Sequence, residues 1–158
     1  MNRHSRKIFF GIILIFIIIQ MIQPARNIDY GQEVSSSDIS KVYQVPKNVQ
    51  SALINSCYDC HSNSTHYPIY SYIQPLSFFI EGHIKKGKQE LNFNEWGNYS
   101  QRKRNNKLES IANQVKQKKM PLSSYTYLHQ GTKLSEKQIE EIMSWIESVQ
   151  VENEKNKQ

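Results

Sequence analysis

Cys57-Tyr58-Asp59-Cys60-His61 holds both cysteines of a 158-residue chain. Residues three apart on a helical turn face the same side, so two thiols and an imidazole project together from one short piece of backbone. C-x-x-C-H is the pattern through which a c-type haem is attached, the thiols adding to its two vinyl groups and the adjacent imidazole reaching its iron. The expectation is one covalent haem c on Cys57 and Cys60, with His61 as proximal ligand. Other uses of paired thiols compete. A thioredoxin-like redox pair expects a neighbouring βαβ pattern, which is absent, and a structural zinc site needs a fourth ligand at suitable spacing. A simple disulfide in a non-haem interaction domain is the remaining alternative.

Upstream of the motif, Val49, Leu53, Ile54 and Cys57 recur at helical spacing behind Pro46, which predicts a short helix with the motif at its C-terminal end. Downstream, Phe79, Ile80, His83 and Ile84 predict a helix over about 76–88, with Gly87 near its end. The aromatic segment Leu91 to Tyr99 reads as an irregular loop whose rings cover something apolar. Leu108, Ile111, Ala112 and Val115 fit a third amphipathic helix, which must stop before Met120-Pro121 because proline disfavours helix in the residue before it. Ser135 with Gln138 forms a capping box opening a last helix, its apolar face Ile139, Ile142, Met143, Ile146 and Val149. No stretch alternates apolar and polar residues with β-branched enrichment, so the expected fold is all-α with long connections.

The second axial position of a haem iron decides its chemistry. Met120 is the first candidate, because it lies in an irregular segment between two helices where a flexible thioether can be presented to a metal. The bland alternative is a methionine filling a core gap. His83 is the alternative distal ligand, although a histidine on a face shared with Phe79 and Ile80 is more often structural. Met143, His66 and His129 stand behind these. Trp96, Trp145, Tyr67, Tyr70, Tyr125 and Tyr127 are numerous enough to wall a large flat cofactor, though core packing is their plainer use.

At the N-terminus, Ile8 to Ile22 is nearly all Ile, Phe and Leu, preceded by Arg3, Arg6 and Lys7. It reads as a membrane-targeting segment, and the following residues lack the small-residue pattern of a cleavage site, which favours a retained anchor. Fifteen residues at about 1.5 Å each give roughly 22 Å against a hydrocarbon core of roughly 30 Å, a marginal span. The basic flank would keep the N-terminus cytoplasmic and place the rest in the periplasm or outside. The expectation is thus a single-pass protein of the inner membrane: a transmembrane helix or signal within 1–26, a polar linker over 27–44, a haem domain over 45–150 and a charged tail over 151–158.

The net charge of +6 is concentrated in that leader. Residues 27–158 carry sixteen basic and fourteen acidic residues, a net of +2, which argues against a nucleic-acid partner. Within them, residues 85–119 carry ten basic against three acidic residues. This run could steer an acidic redox partner, while a solvated helix face is the plainer reading.

The runs Asn55 to Pro68 (NSCYDCHSNSTHYP), Leu91 to Gly97 (LNFNEWG), Met120 to His129 (MPLSSYTYLH) and Leu134 to Trp145 resemble the small bacterial haem-binding domain family, membrane-tethered relatives of c-type cytochromes. The resemblance covers about 45–148. It implies a small cytochrome c-like helical domain with haem bound through Cys57, Cys60 and His61, a distal loop at Met120-Pro121, and a functional place for His83 and His129. The expected role is one-electron transfer with an unidentified redox partner rather than catalysis. A haem sensor or peroxidase-like enzyme with an open distal site is the alternative.

Overall fold

The computed structural model describes residues 2–29 and 35–155. All regular structure among them is helical: α1 (Arg3–Gln20), α2 (Ile39–Val42), α3 (Lys47–Ser56), α4 (Tyr58–His61), α5 (Leu76–Glu90), α6 (Gln101–Lys116), α7 (Ser123–Leu128) and α8 (Glu136–Lys155), with 3-10 turns at Ile69–Tyr72 and Phe93–Asn98.

The core forms where α3 and α6 pack on α8. Val49, Ala52 and Leu53 of α3, Leu108, Ile111 and Val115 of α6, and Ile142, Trp145, Ile146 and Val149 of α8 are all buried. This spacing of three and four is what an apolar helical stripe requires. The capping box forms as expected: Gln138 N donates to Ser135 Oγ, and Ser135 N donates to Gln138 Oε1 at 2.9 Å.

The Leu91–Tyr99 segment enters this core as a 3-10 turn. Phe93 and Trp96 are fully buried, and Tyr58, Phe93 and Trp96 stack in sequence, with centroids 4.9 and 6.3 Å apart. These rings cover the back of the Cys57–His61 turn, since Phe93 meets the His61 ring edge-on at 6.3 Å.

Two expectations about the N-terminus are corrected. Among the described residues no helix is long and apolar enough to cross a membrane. The reason lies in α1: its eighteen residues include Arg3, Arg6 and Lys7, and it ends at Gln20, two residues short of Ile22. The thirteen uncharged residues from Ile8 to Gln20 reach about 20 Å, well under the roughly 30 Å of a bilayer core. The described residues therefore hold no membrane-crossing helix, and the single-pass placement in the inner membrane, with the domain beyond it, loses its basis.

The stretch expected as a polar linker is held to the domain at both of its described ends. Asn27 donates through Nδ2 to Ser62 O (2.9 Å) and Thr65 Oγ1 (2.8 Å). Asp38 is buried, caps α2 through Ser40 N (2.8 Å) and receives Asn94 Nδ2 (2.8 Å), while Ile39 joins the core. Residues 30–34 of that stretch lie outside the described residues. At the other end, α8 continues through the expected tail to Lys155, and Asn153 Nδ2 donates to Asn105 Oδ1 at 3.0 Å. Residues 156–158 are likewise outside.

Candidate haem site

The Cys57–His61 turn is built by a change of helix. α3 ends at Cys57, whose φ/ψ of −127°/−37° breaks the helical path, and α4 restarts at once over Tyr58–His61. Cys60 N and His61 N both donate to Cys57 O, at 3.2 and 3.0 Å. Both cysteines are free and half-buried. Burial, reinforced by the Cys60 sulfur, pushes the Cys57 thiol up to about 12, and burial with the nearby Asp59 carboxylate pushes Cys60 to about 11. Redox-active pairs need a thiolate at neutral pH, so this microenvironment speaks against a thioredoxin-like use.

His61 is fixed from behind by α5. Its Nδ1 lies 2.9 Å from Gly87 O and 3.1 Å from Leu91 O. A carbonyl only accepts, so Nδ1 carries the proton and Nε2 holds the lone pair. Burial lowers the His61 pKa and so favours the neutral ring, against the pull of the two carbonyl contacts. A neutral imidazole whose Nδ1 is anchored on a backbone carbonyl is the arrangement a metal-ligating histidine uses. Among the described residues Nε2 has no hydrogen-bond partner.

Beside the turn lies an apolar cavity of about 170 Å³. Asp59 and Cys60 border it at one side; Leu76, Phe79, Ile80, His83 and Ile84 of α5 form one wall; Leu122, Tyr125, Leu128 and His129 form another. Its rim is exposed and greasy, with Phe79 63% and Leu128 54% exposed. Four polar groups in the wall bond one another in two pairs. Tyr125 Oη donates to Asp59 Oδ2 at 2.7 Å, and His129 Nε2 lies 2.9 Å from Tyr70 Oη. Burial and the Asp59 carboxylate raise the pKa of Tyr125 and of Tyr70, keeping both phenols protonated.

The sequence of a haem-binding domain family matches over residues 14–148. The chain belongs to this family. No curated protein and no solved structure matches the chain. Haem binding, the property the family is named for, meets a suitable donor set here: a lone pair prepared on His61 Nε2, two free thiols on the same turn, and an apolar cavity bordered by one of them.

Within this family member the candidate residues divide. Cys60, His66, His83 and His129 border the cavity; Cys57 and His61 belong to the turn beside it; Met120 and Met143 are not among the residues lining it. Met120 is half-buried and its N–H donates to Gln114 O at 3.3 Å, at the end of α6. Met143 is half-buried on α8. His83 is exposed, its Nδ1 2.9 Å from Phe79 O. Of the aromatics, Tyr70 and Tyr125 border the cavity, Trp96 and Trp145 are core, and Tyr127 is exposed. Tyr67 packs under Arg26.

The basic run of residues 85–119 is partly spoken for. Lys88 bonds Asn27, Lys107 pairs with Glu90, Lys118 pairs with Glu136, Lys103 lies over the Tyr99 ring, and Arg104 donates to Trp96 O and Gly97 O. Lys85 and Lys86 are exposed and directly follow cavity residues His83 and Ile84.

Sequence reasoning did not find the Asp59–Tyr125 bond. Asp59 occupies a position that the attachment motif leaves free, and Tyr125 sits in a six-residue helix with no apolar period, so neither carries a pattern to read.

Proposed function

We propose that the chain carries one haem joined by thioethers to Cys57 and Cys60, with His61 as proximal ligand, and that it exchanges single electrons with a partner protein. The observation that carries this reading is the His61 imidazole, held by Gly87 O and Leu91 O so that its lone pair is on Nε2, beside an apolar cavity that Cys60 borders. When bound, the haem supplies an iron that alternates between ferrous and ferric states.

The residues have separable tasks. Each thiol adds across one vinyl group: S–C and C–H bonds form, the S–H bond and the vinyl π bond are lost, and no electron enters or leaves. His61 Nδ1–H, bonded to backbone carbonyls, raises the basicity of Nε2 toward iron. The apolar walls limit water at one face of the site, and the Tyr–Asp and Tyr–His pairs engage four of its polar groups, which suits electron transfer better than proton chemistry. Lys85 and Lys86 offer positive charge next to the cavity residues of α5, favouring a partner with an acidic face.

The test is maturation of the full chain with a c-type haem attachment system, followed by haem staining of a denaturing gel and a pyridine haemochrome spectrum. The expected result is one haem per chain that survives denaturation, is abolished in the Cys57→Ala/Cys60→Ala double variant, and gives a reversible one-electron wave. Colourless protein after maturation overturns the reading. Ready binding of carbon monoxide by the reduced protein overturns the closed, electron-transferring form of it in favour of a sensor or peroxidase-like site.

A further inference from the structure

We propose that His129, on the wall of the cavity beside the His61 turn, is the second axial ligand; this rests on the haem site proposed above and names the group that completes it. The two nitrogens of an imidazole point to opposite edges of its ring. Because His61 Nδ1 is turned to the Gly87 and Leu91 carbonyls at the end of α5, its Nε2 is directed away from that end. The end of α5 is thereby engaged in holding His61, which favours a sixth ligand from another wall of the cavity. Outside α5 the cavity is bordered by two histidines: His66, which is exposed, and His129, which is half-buried beside α7 and held at both ring nitrogens.

His129 is prepared as His61 is. Its Nδ1 lies 2.9 Å from Tyr125 O, a carbonyl that can only accept, so the proton is on Nδ1 and the lone pair on Nε2. The ring stacks on Tyr125 at 4.1 Å, which fixes its plane. Nε2 accepts a hydrogen bond from Tyr70 Oη at 2.9 Å, so a metal would displace one neutral hydrogen bond and leave the rest of the support intact. His83 has a similar Nδ1 anchor on Phe79 O at 2.9 Å, but it is exposed and stands on α5, the helix that anchors His61 from behind.

A second observation ties His129 to the attachment turn. Tyr125, on which it stacks, donates to Asp59 Oδ2 at 2.7 Å, and Asp59 lies between Cys57 and Cys60. His61 and His129 are therefore carried on one continuous scaffold, from the turn through Asp59 and Tyr125 to the second ring. Met120 has no such link and is not among the cavity-lining residues. Tyr70 holds Nε2 in place until iron takes it.

The test uses the haem-loaded full chain and reads the iron's spin state by optical and electron paramagnetic resonance spectroscopy. The wild type is expected to be low-spin, without the sulfur-to-iron band of methionine ligation. His129→Gly should become high-spin and bind carbon monoxide, and added imidazole should restore the low-spin spectrum, which a merely misfolded variant would not do. Met120→Ala, His83→Ala and Tyr70→Phe should stay low-spin. A sulfur-to-iron band in the wild type, a low-spin His129→Gly, or loss of the low-spin state in Met120→Ala or His83→Ala overturns the assignment. Covalent haem staining stays unchanged in all these variants, so failure of the ligand assignment is distinguished from failure of haem attachment, which would show as an unstained wild type.

Discussion

The backbone of Gly87 lies against the backbone of Cys60: a Cβ built on Gly87 would sit 2.7 Å from the Cys60 carbonyl oxygen. The obstacle is main chain, not the tip of a flexible side chain, so it can yield only if α4 and α5 separate. The same residue supplies the carbonyl that orients His61. Gly87→Ala is thus expected to cost about 1–3 kcal/mol, the range for forced overpacking, despite alanine's better helix propensity. Denaturant titration checks this. An Ala variant as stable as the wild type, with its haem spectrum unaltered, would show that the close approach is unimportant.

Tyr125→Phe removes the donor to Asp59 while preserving the ring that stacks on His129. A hydrogen bond to a carboxylate contributes about 1.5–3 kcal/mol when buried, and this pair is only part-buried, so a loss of about 1 kcal/mol is expected. The chemical denaturation midpoint should fall accordingly. A midpoint unchanged from the wild type would mean that water replaces the phenol without cost.

Alkaline stability should reflect Tyr58. Burial, then the Asp38 charge and hydrogen bond, raise its pKa above the ordinary 10.0. The folded state therefore holds the phenol proton more tightly than the unfolded chain does. This contribution is complete below pH 10 and declines as pH rises beyond it, since only the unfolded chain then ionises. Tyr67, pushed up to about 12 chiefly by burial, adds in the same sense. Unfolding free energies across pH 8 to 11 should drop above 10, with a gentler slope in Tyr58→Phe. An equal slope in the variant would exclude Tyr58 as a source.

Trp96 and Trp145 should answer differently to the same substitution. Both are buried, yet Trp145 Nε1 donates to Gln44 O at 3.3 Å, whereas Trp96 Nε1 is buried with no partner among the described residues. Replacing either by Phe loses volume, but only at Trp96 does it also remove an unsatisfied donor, a group that costs about 1–3 kcal/mol to bury. Trp96→Phe should be the milder change by thermal denaturation. The reverse order would mean that Trp96 Nε1 has a partner in solution, such as an ordered water.

Helices with a long apolar stripe were readable from sequence alone. Val49 to Leu53, Leu108 to Val115 and Ile142 to Val149 each repeat every three to four residues, and each packs its stripe into the core. The Cys57–His61 turn was equally plain, because two cysteines and a histidine at that spacing have few other uses. What was hidden depended on single residues meeting across the fold. Asp38 and Ile39 sit in a polar stretch that looks like linker, yet one long-range bond from Asn94 and one buried Ile fold it in. Ser123–Leu128 is too short to show a period, although it brings Tyr125 and, just past its end, His129 to the cavity. The N-terminal apolar run misled for a local reason: hydropathy does not register that helix and apolar run share only the residues from Ile8 to Gln20.

The Gln20 side chain bonds the Gln74 backbone twice, Nε2 donating to Gln74 O and Oε1 accepting from Gln74 N, and Arg26 closes on Glu81 at 3.1 Å. The N-terminal helix is consequently a mast stepped into the hull of the domain rather than a leash. Its bearing relative to the cavity is set by these few polar bonds, because no residue of the helix is buried.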